Sequence, residues 1–147
     1  MIKTKSYIRD GRAPIPERES VSKTMSSIRG KDTKPELFLR KTLWSMGIRG
    51  YRIHWKKVPG SPDIAFIRKK IAIFVNGCYW HRCPICKLSL PKTHSDFWLK
   101  KFEKNIERDN IKIHQLEMIG WKTIIIWECQ LKDPYKKYLE KIKDIVD

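Results

Sequence analysis

The sequence predicts an α/β fold: a single domain in which helices flank a small central mixed β-sheet, with a zinc-braced loop beside it. Three observations point there. The chain of 147 residues is long enough for one hydrophobic core and too short for two ordinary domains. Short apolar runs that suit buried strands alternate with longer stretches whose apolar residues recur at helical spacing. The order helix, hairpin, loop, helix, strand, helix then closes most simply as an α/β sandwich.

Residues 1–20, with Lys3, Lys5, Arg9, Arg12 and Arg18, lack apolar periodicity and read as a flexible basic arm, leaving residues 21–147 as the folded domain. Thr33 and Glu36 form a candidate capping box with Pro35 in the first turn, Leu39, Leu43 and Met46 make an apolar stripe, and Gly47 is a stop. The segment from Asp63 to Ile67 reads as a strand, Arg68, Lys69 and Lys70 as a hairpin tip, and Ile71 to Val75 as a strand buried on both faces. An irregular loop follows, from about Asn76 to Thr93, long enough to need an anchor. A long helix is predicted from about Ser95 to Ile119, with Leu99, Phe102, Ile106, Ile113 and Leu116 inward and Gly120 ending it. Lys122 to Cys129 reads as a third buried strand. Asp133 and Pro134 open a final helix whose inward residues are Tyr138, Ile142 and Ile145.

Lys and Arg total 32 against 16 Asp and Glu, a formal charge of +16 on a chain that is 41% hydrophobic. A folded polyanion binder fits this balance better than a disordered basic tail, with nucleic acid ahead of a membrane surface as partner. No apolar run approaches the roughly 20 residues that span a bilayer, and the N-terminus lacks the apolar stretch of a signal peptide, so an intracellular, cytoplasmic setting is expected. In a reducing compartment the four cysteines are a metal question. Cys78, Cys83 and Cys86 share one loop and Cys129 ends a strand, which suits tetrahedral Zn²⁺ tying loop to sheet; the alternative is a buried Cys129 thiol with three incidental neighbours. Four thiolates leave no open position, so this zinc would be structural.

Chemistry must then come from elsewhere. Asp63 is a credible anchor for the hard cation that phosphodiester hydrolysis requires, or simply a strand-start residue after Pro62. His81, between Trp80 and Arg82, is placed to exchange a proton with water or a leaving group, or is an ordinary zinc-adjacent histidine. Glu36 is more simply a helix cap than a catalyst. Tyr79 and Trp80 are adjacent rings that could stack on or wedge between bases unless one packs beneath the loop, and Met25 is either a second wedge or a core methionine.

Taken together, these motifs become recognisable. Pro59-Gly60-Ser61-Pro62-Asp63, Asn76-Gly77-Cys78-Tyr79-Trp80-His81, Phe97-Trp98-Leu99 with Lys101, Lys104-Asn105 with Glu107-Arg108-Asp109, Gly120-Trp121 and Trp127-Glu128-Cys129 occur in order. This set resembles the very short patch repair (T:G mismatch) endonucleases over about residues 22 to 130. The resemblance implies a restriction-endonuclease-like fold, structural zinc, and Mg²⁺-dependent nicking of duplex DNA 5′ of the thymine at a T:G mismatch, by a monomer, with mismatch-repair and methyltransferase proteins as partner classes. It implies that Asp63 and a main-chain oxygen of Val75 ligate magnesium, that His81 is the acid/base group with Glu36 in support, and that Tyr79 and Trp80 enter the DNA from one groove and Met25 from the other. Lys101 and Asn105 match positions near the mismatched pair.

Two departures stand out. Asn76 occupies a position where the family usually has histidine, and the zinc set has Cys83 where a histidine is common, with Cys86 displaced by one residue. A site-specific restriction or homing nickase on the same fold, and a zinc-stabilised DNA-binding module without catalysis, remain the alternatives to a mismatch nickase.

Overall fold

The computed structural model describes residues 31–142, so the basic arm, Met25 and Ile145 lie outside the described residues. Helix α1, Lys34–Ser45, starts where the capping signal put it: the Thr33 side chain accepts from the Glu36 N–H, and Pro35 sits in the first turn. Glu36 reaches back one residue further than a standard capping box, to the Asp32 N–H at 2.9 Å. Leu39 and Leu43 are fully buried.

Strands β2, Ile64–Phe66, and β3, Ile71–Asn76, pair antiparallel across the basic tip, and β4, Lys122–Trp127, lies parallel to β3. A two-residue edge strand, β1, Arg52–Ile53, pairs antiparallel with β2 and completes the order β1-β2-β3-β4. Both its residues are exposed, so no apolar pattern announced it. The sheet is mixed, as the sequence predicts.

Alternation along the strands builds two cores. Ile64, Phe66, Ile71, Ile73, Ile124 and Ile126 face Leu39 and Leu43 of α1 together with Leu131, Tyr138 and Ile142. Ala65, Ala72 and Phe74 face the other way, against Leu116 and Trp121. The small Ala65 and Ala72 let the long helix α2, Ser95–Met118, lie close to that face.

Four expectations differ in detail, the first being that Met46, placed in the apolar stripe of α1, is exposed at its C-cap. Along α2 Phe102 and Leu116 are buried, but Leu99 and Ile106 are 43% and 41% exposed. The helix has 24 residues, which at about 1.5 Å each rise roughly 36 Å, while β4 with six residues covers only about 20 Å. Its N-terminal half therefore packs against the cysteine-rich loop rather than the sheet. β4 stops at Trp127 because the chain turns into a short helix α3, Glu128–Leu131, where the Gln130 side chain accepts from the Trp127 N–H. The closing helix is a 3-10 helix, Lys137–Ile142, preceded by a turn in which the Asp133 carboxylate accepts from the N–H groups of Tyr135 and Lys137. Tyr138 and Ile142 are buried, as expected. At the end of α2, Gly120 takes φ +82° while Trp121 N–H bonds Leu116 carbonyl, a left-handed exit that a side chain would strain.

Candidate active site

Asp63 enters β2 directly after the Pro59–Pro62 turn. Gly60 in that turn has φ +80°, and a Cβ there would lie 2.9 Å from the stem of Lys112 on α2, so the turn needs glycine for both backbone and space. Asp63 Oδ2 accepts a 2.7 Å hydrogen bond from the Val75 N–H, which joins the carboxylate to the neighbouring strand. Its other oxygen has no partner among the described residues. Burial pushes the Asp63 carboxyl up to about 6, and the Glu36 charge adds to this, while the Val75 hydrogen bond and the charges of His54 and Lys112 act the other way.

Glu36 is only 4% exposed. Its Oε2 accepts from Asp32 N–H and, at 3.3 Å, from Arg40 Nη2, with His54 Nε2 at 3.7 Å. Its second oxygen also lacks a partner among the described residues. The Glu36 and Asp63 carboxylates are close enough to sense one another, and carboxylate oxygens are the hard donors that small divalent cations prefer.

His81 lies in the cysteine-rich loop that follows β3. Its Nδ1 is 2.6 Å from Asp109 Oδ2, and Asp109 Oδ1 is 3.5 Å from Lys112 Nζ. Burial alone would raise the Asp109 carboxyl, but the hydrogen bond and charge of His81, with Lys112, hold it below the usual carboxylate range. With Nδ1–H donated to Asp109, the ring's Nε2 is left as a proton acceptor. The support for His81 thus comes from Asp109, whereas Glu36 is bound up with Arg40, Asp32 and His54. Asn76 is buried and lines a small cavity with Phe74, Asp109 and Lys112, so an amide occupies the heart of the site.

The cysteine-rich loop is packed by aromatics. Tyr79 meets Trp80 and Phe102 edge-on at 5.0 and 5.5 Å between ring centroids, Trp80 lies 5.5 Å from Trp98, and Arg82 sits over Phe102. Both rings of the Tyr79-Trp80 pair are half-buried, each braced by α2. The Asn105 amide donates to the Trp80 carbonyl at 3.3 Å, which makes it a brace for the loop. Lys101 is half-buried one helical turn earlier.

Cys78, Cys83, Cys86 and Cys129 converge: their sulfurs lie within 4.8 Å of one another, a group that could hold a metal ion. Cys83 and Cys129 Sγ are 3.8 Å apart, and Cys129 N–H donates to Cys78 Sγ. Burial, reinforced by the neighbouring sulfurs, pushes the Cys129 thiol up. Only Cys86 of the four is exposed.

Residues that sequence reasoning left unassigned are Asp109, Lys112, His54, Asp32 and Arg40. Asp109 stands inside a quoted motif and Lys112 follows it by one helical turn, which is the signal that could have found both. No helix among the described residues is long and apolar enough to cross a membrane.

The family model described as DNA mismatch endonuclease Vsr matches residues 14–87. The type II nicking enzyme V.NmeAIP of Neisseria meningitidis serogroup A is 41% identical over 128 residues, 83% of this chain and 91% of its own length. The type II nicking enzyme V.XorIIP of Xanthomonas oryzae pv. oryzae is 41% identical over 110 residues, 74% and 79% of the two chains. The DNA mismatch endonuclease Vsr of Escherichia coli K12 is 35% identical over 120 residues, 82% and 76%.

Proposed function

Because the chain belongs to the DNA mismatch endonuclease Vsr family and is a DNA endonuclease, we propose that it nicks one strand of duplex DNA 5′ of the thymine in a T:G mismatch, with Mg²⁺ at Asp63 and structural Zn²⁺ at the four cysteines. The observation that carries this reading is the pair of carboxylates, Asp63 tied to Val75 N–H and Glu36 tied to the Asp32 N–H, each with its second oxygen unpartnered among the described residues. Hard oxygens of this kind fit Mg²⁺, which prefers one or two carboxylates plus water and main-chain oxygens such as that of Val75. Bound there, the ion would neutralise phosphate charge and stabilise the leaving oxygen.

The chain's own groups account for the remaining steps. His81, oriented by Asp109, takes the proton of the attacking water on Nε2, and Lys112 keeps Asp109 ionised so that the imidazole holds that tautomer. Tyr79 and Trp80, braced by Trp98 and Phe102, form a rigid aromatic edge that can enter a base step, and a mispaired step is cheaper to unstack than a matched one. Met25 supplies the wedge from the other groove. Lys101 lies beside the mismatched pair, and Asn105 keeps the Trp80 main chain in place. For the cysteines, Zn–S bonds of about 2.3 Å put tetrahedral sulfurs about 3.8 Å apart, and the Cys83–Cys129 separation of 3.8 Å supports that assignment.

The test is to incubate the protein with Mg²⁺ and two labelled duplexes that differ only in one T:G or T:A pair. A single nick 5′ of the mismatched thymine, lost in Asp63→Ala with binding retained, is the expected result. Equal cutting of the paired duplex would instead favour a sequence-directed nickase.

A further inference from the structure

The nicking reading leaves unused a cluster behind Glu36. Arg40 Nη2 lies 2.7 Å from Asp32 Oδ1, 3.3 Å from Glu36 Oε2 and 3.2 Å from His54 Nε2, and His54 Nε2 is 3.2 Å from Asp32 Oδ1. Asp32 and His54 both hold left-handed backbones, with φ of 54° and 47°. Non-glycine residues adopt that region at a cost, and it persists where the surroundings over-determine it. At His54 the same backbone donates its N–H to the Asp63 carbonyl at 3.1 Å. His54 is therefore joined to the strand of Asp63 through its main chain and to the Glu36 cluster through its ring. Asp32, Glu36 and His54 are close enough to share a cation, but the Arg40 guanidinium already supplies positive charge among them.

We propose that His54 is a positioning residue which, with Arg40 and Asp32, fixes one oxygen of Glu36 so that the other serves the cation site at Asp63. This deepens the nicking reading and rests on it for the role of that site. A carboxylate whose free oxygen must meet a metal benefits from having its orientation set by surrounding groups.

The test compares wild type, His54→Asn, His54→Gln and Asp63→Asn as zinc-loaded full-length proteins. Asparagine tolerates the left-handed backbone but is too short to reach the cluster, whereas glutamine restores a polar group near the position of Nε2. Mn²⁺ affinity is measured by calorimetry at pH 8, alongside single-turnover nicking of a T:G duplex and DNA affinity without divalent metal. His54→Asn should weaken Mn²⁺ binding about 10- to 100-fold and slow nicking in step, with DNA affinity unchanged and most of the loss recovered in His54→Gln. Wild-type Mn²⁺ affinity in His54→Asn, equal losses in both His54 variants, or Mn²⁺ binding that survives Asp63→Asn would each overturn the proposal. Should His54→Asn fail to fold, Arg40→Lys, which keeps the charge and loses the planar fork, must show the same fall in Mn²⁺ affinity. Absence of T:G nicking by wild type, with Mn²⁺ affinities still in the expected order, would refute the reaction and leave the positioning role standing.

Discussion

At the scale of single residues, Asp63 is held against its own stability. With its carboxyl raised from 3.8 to about 6, the folded chain binds more protons there than the unfolded chain between those values, so stability falls as pH rises through that window. Above it the cost is fully present, on the order of 2 to 3 kcal/mol. Asp63→Asn should therefore stabilise the fold by up to about 2 kcal/mol at pH 8 and hardly at all at pH 4, while abolishing nicking. Denaturant titrations at the two pH values check this, and equal stabilisation at both would contradict it. At limiting Mg²⁺ the nicking rate should rise through about pH 6, because the ligand must lose its proton. Asp109→Asn should slow single-turnover nicking on the order of 10²- to 10⁴-fold with DNA binding retained, since an amide cannot hold His81 in the same tautomer; a rate within a few-fold of wild type would remove Asp109 from the site. Asp63 and His81 were visible as candidates in compact motifs, and Glu36 in a capping signal. Their partners were not: His54 meets Asp32 across 22 residues and Asp109 meets His81 across 28, pairings that exist only once the sheet has formed.

Among the elements, the cysteine-rich loop and α2 depend on one another. The loop carries three of the four sulfurs and the two aromatic residues, and α2 supplies Trp98, Phe102, Asn105 and Asp109, so the sulfur cluster, the aromatic pair and His81 are all held between loop and helix. Cys129→Ser should lower bound zinc well below the one ion per chain expected of a closed site, and flatten the near-ultraviolet dichroism of the tryptophans while leaving the far-ultraviolet signal nearly intact. Metal analysis and dichroism on the same samples decide it, and wild type purified free of zinc would sink the assignment. The extent of α2 was readable from its periodicity and from Gly120. Its facing was not, since Leu99 and Ile106 follow a helical stripe that has no sheet beneath it. β1 escaped notice because two exposed residues carry no alternation.

For the whole molecule, the formal charge of +16 makes binding to DNA a salt-governed property. If six or more phosphates are neutralised, affinity for duplex DNA should fall on the order of 10³-fold between 50 and 200 mM salt, measured on matched and mismatched duplexes alike; a shallow, salt-insensitive isotherm would deny the basic surface its role. The α/β class and mixed sheet were legible because β2, β3 and β4 are apolar runs separated by clear turn and helix signals, whereas strand order is a long-range outcome. That order has a kinetic consequence. β3 and β4 pair in parallel, from Ile71 opposite Lys122 to Asn76 opposite Trp127, so the central seam of the sheet can close only after the whole loop and α2 between them have been brought round. Cys129 follows β4 by two residues, so its sulfur joins the other three only when that seam has closed. A metal held by all four sulfurs would therefore be fully ligated only in a chain whose sheet has reached its native topology.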